Sequence, residues 1–100
     1  MSLASVTLGA GELRLAGIVD YRTGASLLEQ GRALVAQVPG SEVVVDCSAV
    51  EKATSVGVSL LLALTREADS AGKALKVRAM PQELCQIAQV CGISQLLASV

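Results

Sequence analysis

The stretch VVVDCSAVEKATSVGVSLLLAL, in the middle of the chain, leaves few folds open. A valine run ends at Asp46, a short polar segment runs from Cys47 to Thr54, and ATSVG then opens an apolar run from Val56 to Leu64 that holds a single serine. A continuous β-branched run of this kind predicts a strand buried on both faces, as in a parallel sheet covered by helices. The longer run that follows predicts a helix from about Ser55 to Ala71, closed near Gly72.

The flanking sequence supplies the rest of a sheet and its helices. ASVTL and ELRLAGIV read as two strands; Leu13 and Leu15 alternate with Glu12 and Arg14, the period of a strand with one buried face. Gly9 to Gly11 between them predict a tight hairpin turn. In TGASLLEQGRALVAQV, residues Leu27, Leu28, Gly31, Leu34, Val35 and Val38 fall on one side of a helix, with Thr23 as N-cap and Pro39-Gly40 as its stop. ALKVRA predicts a strand with Leu75, Val77 and Ala79 on one face, and Pro81 opens a third helix with Leu84, Ile87, Ala88 and Cys91 as its stripe. Gly92 suits a left-handed C-cap with Ile93 packing back, and SQLLASV reads as a short terminal strand or a frayed end. The expected order is β-β-α-β-α-β-α over residues 1–100, one α/β domain in which a right-handed crossover joins parallel strands.

Composition narrows the function classes. Hydrophobic residues make up 52% of the chain and Tyr21 is the one aromatic, so the core must be built from Leu, Val and Ala. The charged fraction of 17% is low, which fits either a surface partly covered by a partner or a small alanine-rich domain. A net charge of −1, with no basic stripe and no aromatic platform, argues against nucleic acid. The apolar runs fall short of the roughly 20 residues a membrane span needs, and MSLASVTL lacks the pattern of a signal peptide, so a cytoplasmic protein without direct membrane insertion is expected. Cys47, Cys85 and Cys91 are odd in number and form no C-x-x-C pair, and histidine is absent; buried reduced thiols are expected, with no metal and no cofactor. Without a histidine base or clustered acids, catalysis is not expected. Asp46 is expected to fix the segment from Cys47 to Thr54 through backbone hydrogen bonds.

The central helix carries the candidate site. At 100° per residue its apolar side chains, Val58, Leu60, Leu61, Leu62, Leu64 and Ala68, spread over roughly 200°. Such an arc fits a helix wedged between a sheet and flanking helices, or one that offers an apolar edge to another protein. Ser55, Ser59, Leu62 and Arg66 lie in one outer line, at i, i+4, i+7 and i+11. Gly57 in the first turn lets another backbone or the adjoining loop approach. Thr54 and Ser55 suit a helix cap, and the same helix start tolerates a phosphate on Ser55. Tyr21 and Arg22, at the carboxyl end of the second strand, suit an interface hot spot beside that helix start if the strands run parallel.

At these residues the chain resembles the STAS domain family, which joins sulfate-transporter C-terminal domains to bacterial anti-sigma factor antagonists. The family signature is a buried strand ending in Asp, a short loop, then Asp-Ser-Ser-Gly opening a Leu/Ala-rich helix. LRLAGIVDYRTGASLL and LCQIAQVCGISQLL match its other segments. The short length and the run SLLLALTREADSAGKALKVRAMPQELCQIAQVCGI are most similar to the small cytoplasmic STAS subunit of Gram-negative phospholipid ABC transporters. That resemblance implies a STAS fold and a non-catalytic subunit that clamps the transporter's ATPase subunit, in a complex with permease and substrate-binding subunits, peripheral to the inner membrane. It also puts Ser55 at the family's contact position; with the helix stripe and the loop after the second strand, the expected partner-binding residues are Thr54, Ser55, Val56, Ser59, Leu62, Arg66, Tyr21 and Arg22. The alternative it implies is an anti-sigma factor antagonist phosphorylated on Ser55 by an anti-sigma factor kinase. Thr54 stands where the family usually carries an acidic residue, which favours constitutive binding over a phosphorylation switch.

Overall fold

In the computed structural model, residues 4–90 are described. Strands β1 (Ser5–Gly9) and β2 (Glu12–Val19) precede helix α1 (Gly24–Val35), strand β3 (Glu42–Ala53), helix α2 (Ser55–Ser70), strand β4 (Ala74–Arg78) and helix α3 (Gln82–Val90). The expected β-β-α-β-α-β-α order is therefore observed. The expectations for Cys91, Gly92, Ile93 and SQLLASV lie outside the described residues.

The sheet order is β1-β2-β3-β4, with β1 antiparallel to β2 and the other two pairs parallel. Gly9 pairs with Glu12, so the hairpin loop is Ala10-Gly11, and both take positive φ (52° and 77°). That is the type I′ geometry, whose twist matches that of the flanking strands. Right-handed crossovers that step the same way along a sheet bring their helices to one face, and α1 and α2 do pack against each other and against the strands. Leu13, Leu15, Val43, Val45, Leu75 and Val77 point into that layer and are buried with Leu27, Val35, Leu61 and Leu64.

Two expectations for β3 need correction. The strand is buried on one face only: Val43, Val45 and Cys47 are covered, while Val44 and Asp46 are half-buried. Val44 pairs in register with Lys76, whose aliphatic stem suits an apolar neighbour. Second, the segment from Cys47 to Ala53 is not a loop, because β3 continues through it to pair with β2 as far as Val19–Ala53. Between the Arg14–Asp46 and Ala16–Ala49 pairs, and again between Gly17–Val50 and Ile18–Lys52, β3 carries one residue more than β2. These are bulges, and Gly17, with a φ of 90°, stands on β2 at the second of them. Asp46 thus lies within the strand, and its Oδ1 accepts the Ser48 N–H at 2.9 Å beside the first bulge.

Smaller differences follow from packing. Thr23 occupies the N-cap position of α1 but makes no capping bond; its hydroxyl donates to the Ile18 carbonyl and accepts the Asp20 N–H. Ala79 falls beyond β4 with a φ of 57° and is exposed. At Gly57 the close neighbour is neither a backbone nor a loop: a β-carbon there would stand 2.9 Å from a δ-methyl of Leu84 on α3. The wide apolar arc of α2 is mostly filled from within, with Val58, Leu60, Leu61, Leu64 and Ala68 buried and Leu62 half-buried against the core.

Candidate functional site

The carboxyl ends of β2 and β3 lie side by side, and the two segments that leave them are tied together. Thr54 N–H donates to the Val19 carbonyl at 3.0 Å, linking the start of α2 to the last residue of β2. Thr54 is the N-cap of α2: its Oγ1 accepts the Val56 N–H at 3.2 Å and its carbonyl accepts the Gly57 N–H at 2.8 Å. Ser55 is therefore the first helical residue, exposed, with its hydroxyl free of the capping role that Thr54 fills.

The loop leaving β2 is held as firmly. Asp20 is the one buried polar or charged residue among those described, 9% exposed. Its carbonyl accepts the N–H groups of Thr23 and Gly24, and its Oδ1 accepts the Arg22 N–H at 2.9 Å. Its Oδ2 takes the Arg22 Nη2 at 2.9 Å and Nε at 3.3 Å. The Arg22 side-chain bonds, followed by the backbone one, hold the Asp20 carboxyl below the usual carboxylate range and raise the guanidinium in turn. Between these two residues Tyr21 stands 83% exposed, with the Arg22 guanidinium carbon 5.9 Å from its ring centroid.

Tyr21 forms one wall of a groove of about 470 Å³ between α1 and α2. Val56, Ser59, Leu60 and Ala63 line it from α2, and Gly24, Ala25 and Leu28 from α1. Its floor is tight at one end, because a β-carbon on Gly24 would stand 2.6 Å from a Val56 γ-methyl. One helical turn beyond Leu28 and Ala63, the Arg32–Glu67 pair (3.6 Å) bridges the two helices. A second depression, of about 460 Å³, lies on the other side of the helix start and is lined by Asp20, Arg22, Lys52, Thr54 and Glu83.

The predicted site residues thus fall into four groups. Tyr21, Val56 and Ser59 meet in the groove, and Arg22 and Thr54 meet in the second depression. Ser55 is exposed at the start of the helix. Leu62 and Arg66 line neither depression, although Arg66 is exposed on the same helix face. Arg22 is turned to Asp20 rather than left free. Sequence reasoning missed Asp20, Gly24, Ala25, Leu28 and Ala63. The signals were present: Asp followed two residues later by a donor is an Asx-turn pattern, and adjacent small residues at a helix start permit a close neighbour.

Chemically, the site offers apolar area, one exposed aromatic and a few hydroxyls. Among the described residues no group of three or more His, Cys, Asp or Glu side chains could hold a metal, and no helix is long and apolar enough to cross a membrane.

Comparison with known proteins places this geometry. No curated protein is similar enough in sequence to count as a relative. An anti-sigma factor antagonist from Mycobacterium paratuberculosis has a similar structure, with a TM-score of 0.75 and 24% identity, covering 99% of this chain and 85% of that one. The unphosphorylated anti-sigma factor antagonist SpoIIAA follows at 0.71 and 15% identity, covering 98% and 88%. At these identities the likeness is one of fold. The family described as "Mlab, STAS domain" matches residues 4–98, nearly the whole sequence. A mixed sheet, a bulged central strand and a capped Leu-rich helix carrying an exposed serine are thus features of a chain that belongs to the STAS domain family, in its MlaB-like branch.

Proposed function

We propose that this chain is a non-catalytic accessory subunit that docks on the MlaF-like ATPase of a phospholipid ABC transporter and supports its assembly and activity. Its place in such a complex, beside permease and substrate-binding subunits, is on the cytoplasmic side of the inner membrane, and its role serves outer-membrane lipid asymmetry. The docking surface is the start of α2 with the Tyr21 loop and the α1–α2 groove. The observation that carries this reading is the helix start itself. Thr54 puts a capping hydroxyl, not a carboxylate, next to Ser55, and it already occupies the Val56 and Gly57 N–H groups that would otherwise receive an anion. A constitutive contact through a hydroxyl and an apolar groove suits that arrangement better than a phosphate switch.

A second reading has its own support. Both structural relatives named above are anti-sigma factor antagonists, and Ser55 is exposed at a helix N-terminus, where a phosphate is electrostatically tolerated. In that case an anti-sigma factor kinase is the partner.

Co-expression with the ABC-type ATPase and, separately, with an anti-sigma factor kinase, followed by affinity purification, separates the two. The transporter reading expects stable co-purification with the ATPase and its loss on Ser59→Arg, an exposed groove position whose change leaves the fold intact. Capture by the kinase with phosphorylation of Ser55 replaces it with the second reading.

A further inference from the structure

Tyr21 is the only aromatic residue in the chain, and it is the most unusual side chain on the surface: an aromatic 83% exposed, set between two residues that bind each other. A solvated tyrosine in a loop needs no such setting. The setting here is built from both backbone and side chains. Thr23 ties its hydroxyl to the Ile18 carbonyl and to the Asp20 N–H, which fixes the loop's two ends. The Asp20 carboxylate, on a side chain 13% exposed, takes the backbone N–H of Arg22 on one oxygen and the guanidinium on the other. The guanidinium, two-thirds exposed, is thereby fixed with its carbon 5.9 Å from the Tyr21 ring centroid.

We propose that Asp20, acting through Arg22, is a positioning residue that holds the Tyr21 ring ready as the fixed anchor of the docking groove. The inference deepens the docking reading and rests on it for the use of the ring, though not for how the ring is held. The physical gain is preorganisation: an anchor already in its bound orientation loses less conformational freedom on association. A cation over an aromatic face adds attraction of its own. Two other routes to the same exposure fail. A ring packed into the core would not be 83% exposed, and a ring merely covering the groove would not need the carboxylate, since none of its bonds touches the groove wall.

The sequence makes the test direct, because tyrosine emission reports this ring alone. Time-resolved anisotropy is measured on the whole chain, as wild type, Arg22→Met and Asp20→Asn, with melting curves on each. Arg22→Met removes the guanidinium from a mostly exposed position, and Asp20→Asn keeps an oxygen for the Arg22 N–H, so both fold. The expected result is a decay dominated by overall tumbling in the wild type and a new sub-nanosecond component in both variants. Identical decays in wild type and Arg22→Met overturn the proposal. On the ATPase, Tyr21→Ala weakens binding on the order of tenfold, Asp20→Asn weakens it by a smaller factor, and the double variant is no weaker than Tyr21→Ala. Additive losses overturn the coupling of Asp20 to the ring. If the wild type does not bind the ATPase, the docking reading fails while the anisotropy still decides how the ring is held.

Discussion

Gly31 and Leu64 meet where α1 packs on α2, so closely that a β-carbon on Gly31 would stand 2.6 Å from one δ-methyl of Leu64 and 3.2 Å from the other. Leu64 is itself almost fully buried, so its isopropyl group has nowhere to retreat. The approach sets the spacing of the two helices whose N-terminal halves form the groove.

Two effects oppose each other at Gly31. Alanine favours the helix by about 1 kcal/mol over glycine, while overpacking a filled interior costs roughly 1–3 kcal/mol. The steric effect wins, because two Leu64 carbons and not one are in the way. Gly31→Ala is expected to destabilise by about 1 kcal/mol and Gly31→Val by more. In a chain of this size each kcal/mol lowers Tm by about 4–8 °C. Combining Gly31→Ala with Leu64→Ala should cost less than the sum of the two, read from denaturant melts; strict additivity would show that the two side chains do not compete for space.

At the far end of the same helix, Lys73 closes α1 from outside it. α2 ends in a left-handed Gly72 (φ 73°), with Lys73 N–H on the Ala68 carbonyl at 2.8 Å and Gly72 N–H on the Asp69 carbonyl at 3.0 Å, the Schellman arrangement. That turn aims the Lys73 side chain at α1, where its Nζ donates to the carbonyls of Val35 (2.9 Å) and Val38 (2.6 Å). Charge-assisted bonds to carbonyls at and just beyond a helix end are the strong kind. Lys73→Met, which keeps the stem, is expected to cost about 1–2 kcal/mol. Lys76→Met, which breaks only the exposed pair with Glu42, should cost less than about 0.5 kcal/mol. Equal losses in urea titrations of the two variants would refute the ranking.

Acid should loosen the bulged half of β3. The Ser48 backbone N–H, then the Ser48 hydroxyl and Arg78, hold the Asp46 carboxyl down at about 2, against an ordinary 3.8. A depressed carboxylate contributes stability that is present in full above its ordinary value and is lost as the pH falls through the folded one. The stability gap between wild type and Asp46→Ala should therefore be widest near neutrality, narrow below about pH 4 and shrink through pH 2, as followed by melting at fixed ionic strength. A gap that is flat over this range removes Asp46 as the source.

Cys47 offers a test of burial on the covered face of β3. Burial first, and the neighbouring Asp46 charge second, push its thiol up to about 12. Reaction needs the thiolate, so Cys47 should stay unmodified by a thiol reagent at pH 8 in the folded protein and react only on unfolding. Mass spectrometry of the Cys47 peptide after timed labelling measures this, and rapid labelling without denaturant would contradict the buried placement.

What the sequence made legible follows from how far each signal reaches. The alternation in Glu12–Val19 and in ALKVRA, and the helical spacing of Leu27, Gly31 and Val35, are local patterns; the structure keeps the bounds of β2, but ends β4 at Arg78, short of Ala79, and α1 at Val35, short of Val38. From sequence the second half of β3 reads as a loop, because its two bulges interrupt the period of two that marks a strand. Ser48, Glu51 and Lys52 then look like loop residues. The apolar run Val43–Val45 suggested two covered faces, since no local signal separates a covered valine from Val44, half-buried beside a lysine. The parallel pairing of β2 and β3 correctly brought Tyr21 and Arg22 to the start of α2. The groove itself was not legible, because it depends on how close α1 lies to α2, and that distance is set by pairs remote in sequence, Gly24 with Val56 and Gly31 with Leu64.

Ser55→Glu separates the fold from the docking role. Ser55 is exposed at the first position of α2 and is not the cap, so its replacement leaves the Thr54 bonds to Val56 and Gly57 in place. A carboxylate in the first turn of a helix faces the positive end of the dipole and is worth about 0.3–1 kcal/mol. The variant is therefore expected to melt at or slightly above the wild-type temperature. Docking should respond in the opposite sense. The charge would enter a contact beside the wall of Tyr21, Val56, Leu60 and Ala63, where the Arg22 guanidinium is already engaged by Asp20, and an unpaired charge at a closed interface costs several kcal/mol. Ser55→Ala serves as the control, since it removes the hydroxyl without adding charge and should weaken the complex only slightly. Along the helix, Leu62→Ala should weaken it more than Arg66→Ala, because a half-buried apolar side chain contributes more than an exposed charge at a rim. Melting and ATPase co-purification are measured on the same preparations. Undiminished capture of a folded Ser55→Glu chain would place the contact away from the start of α2.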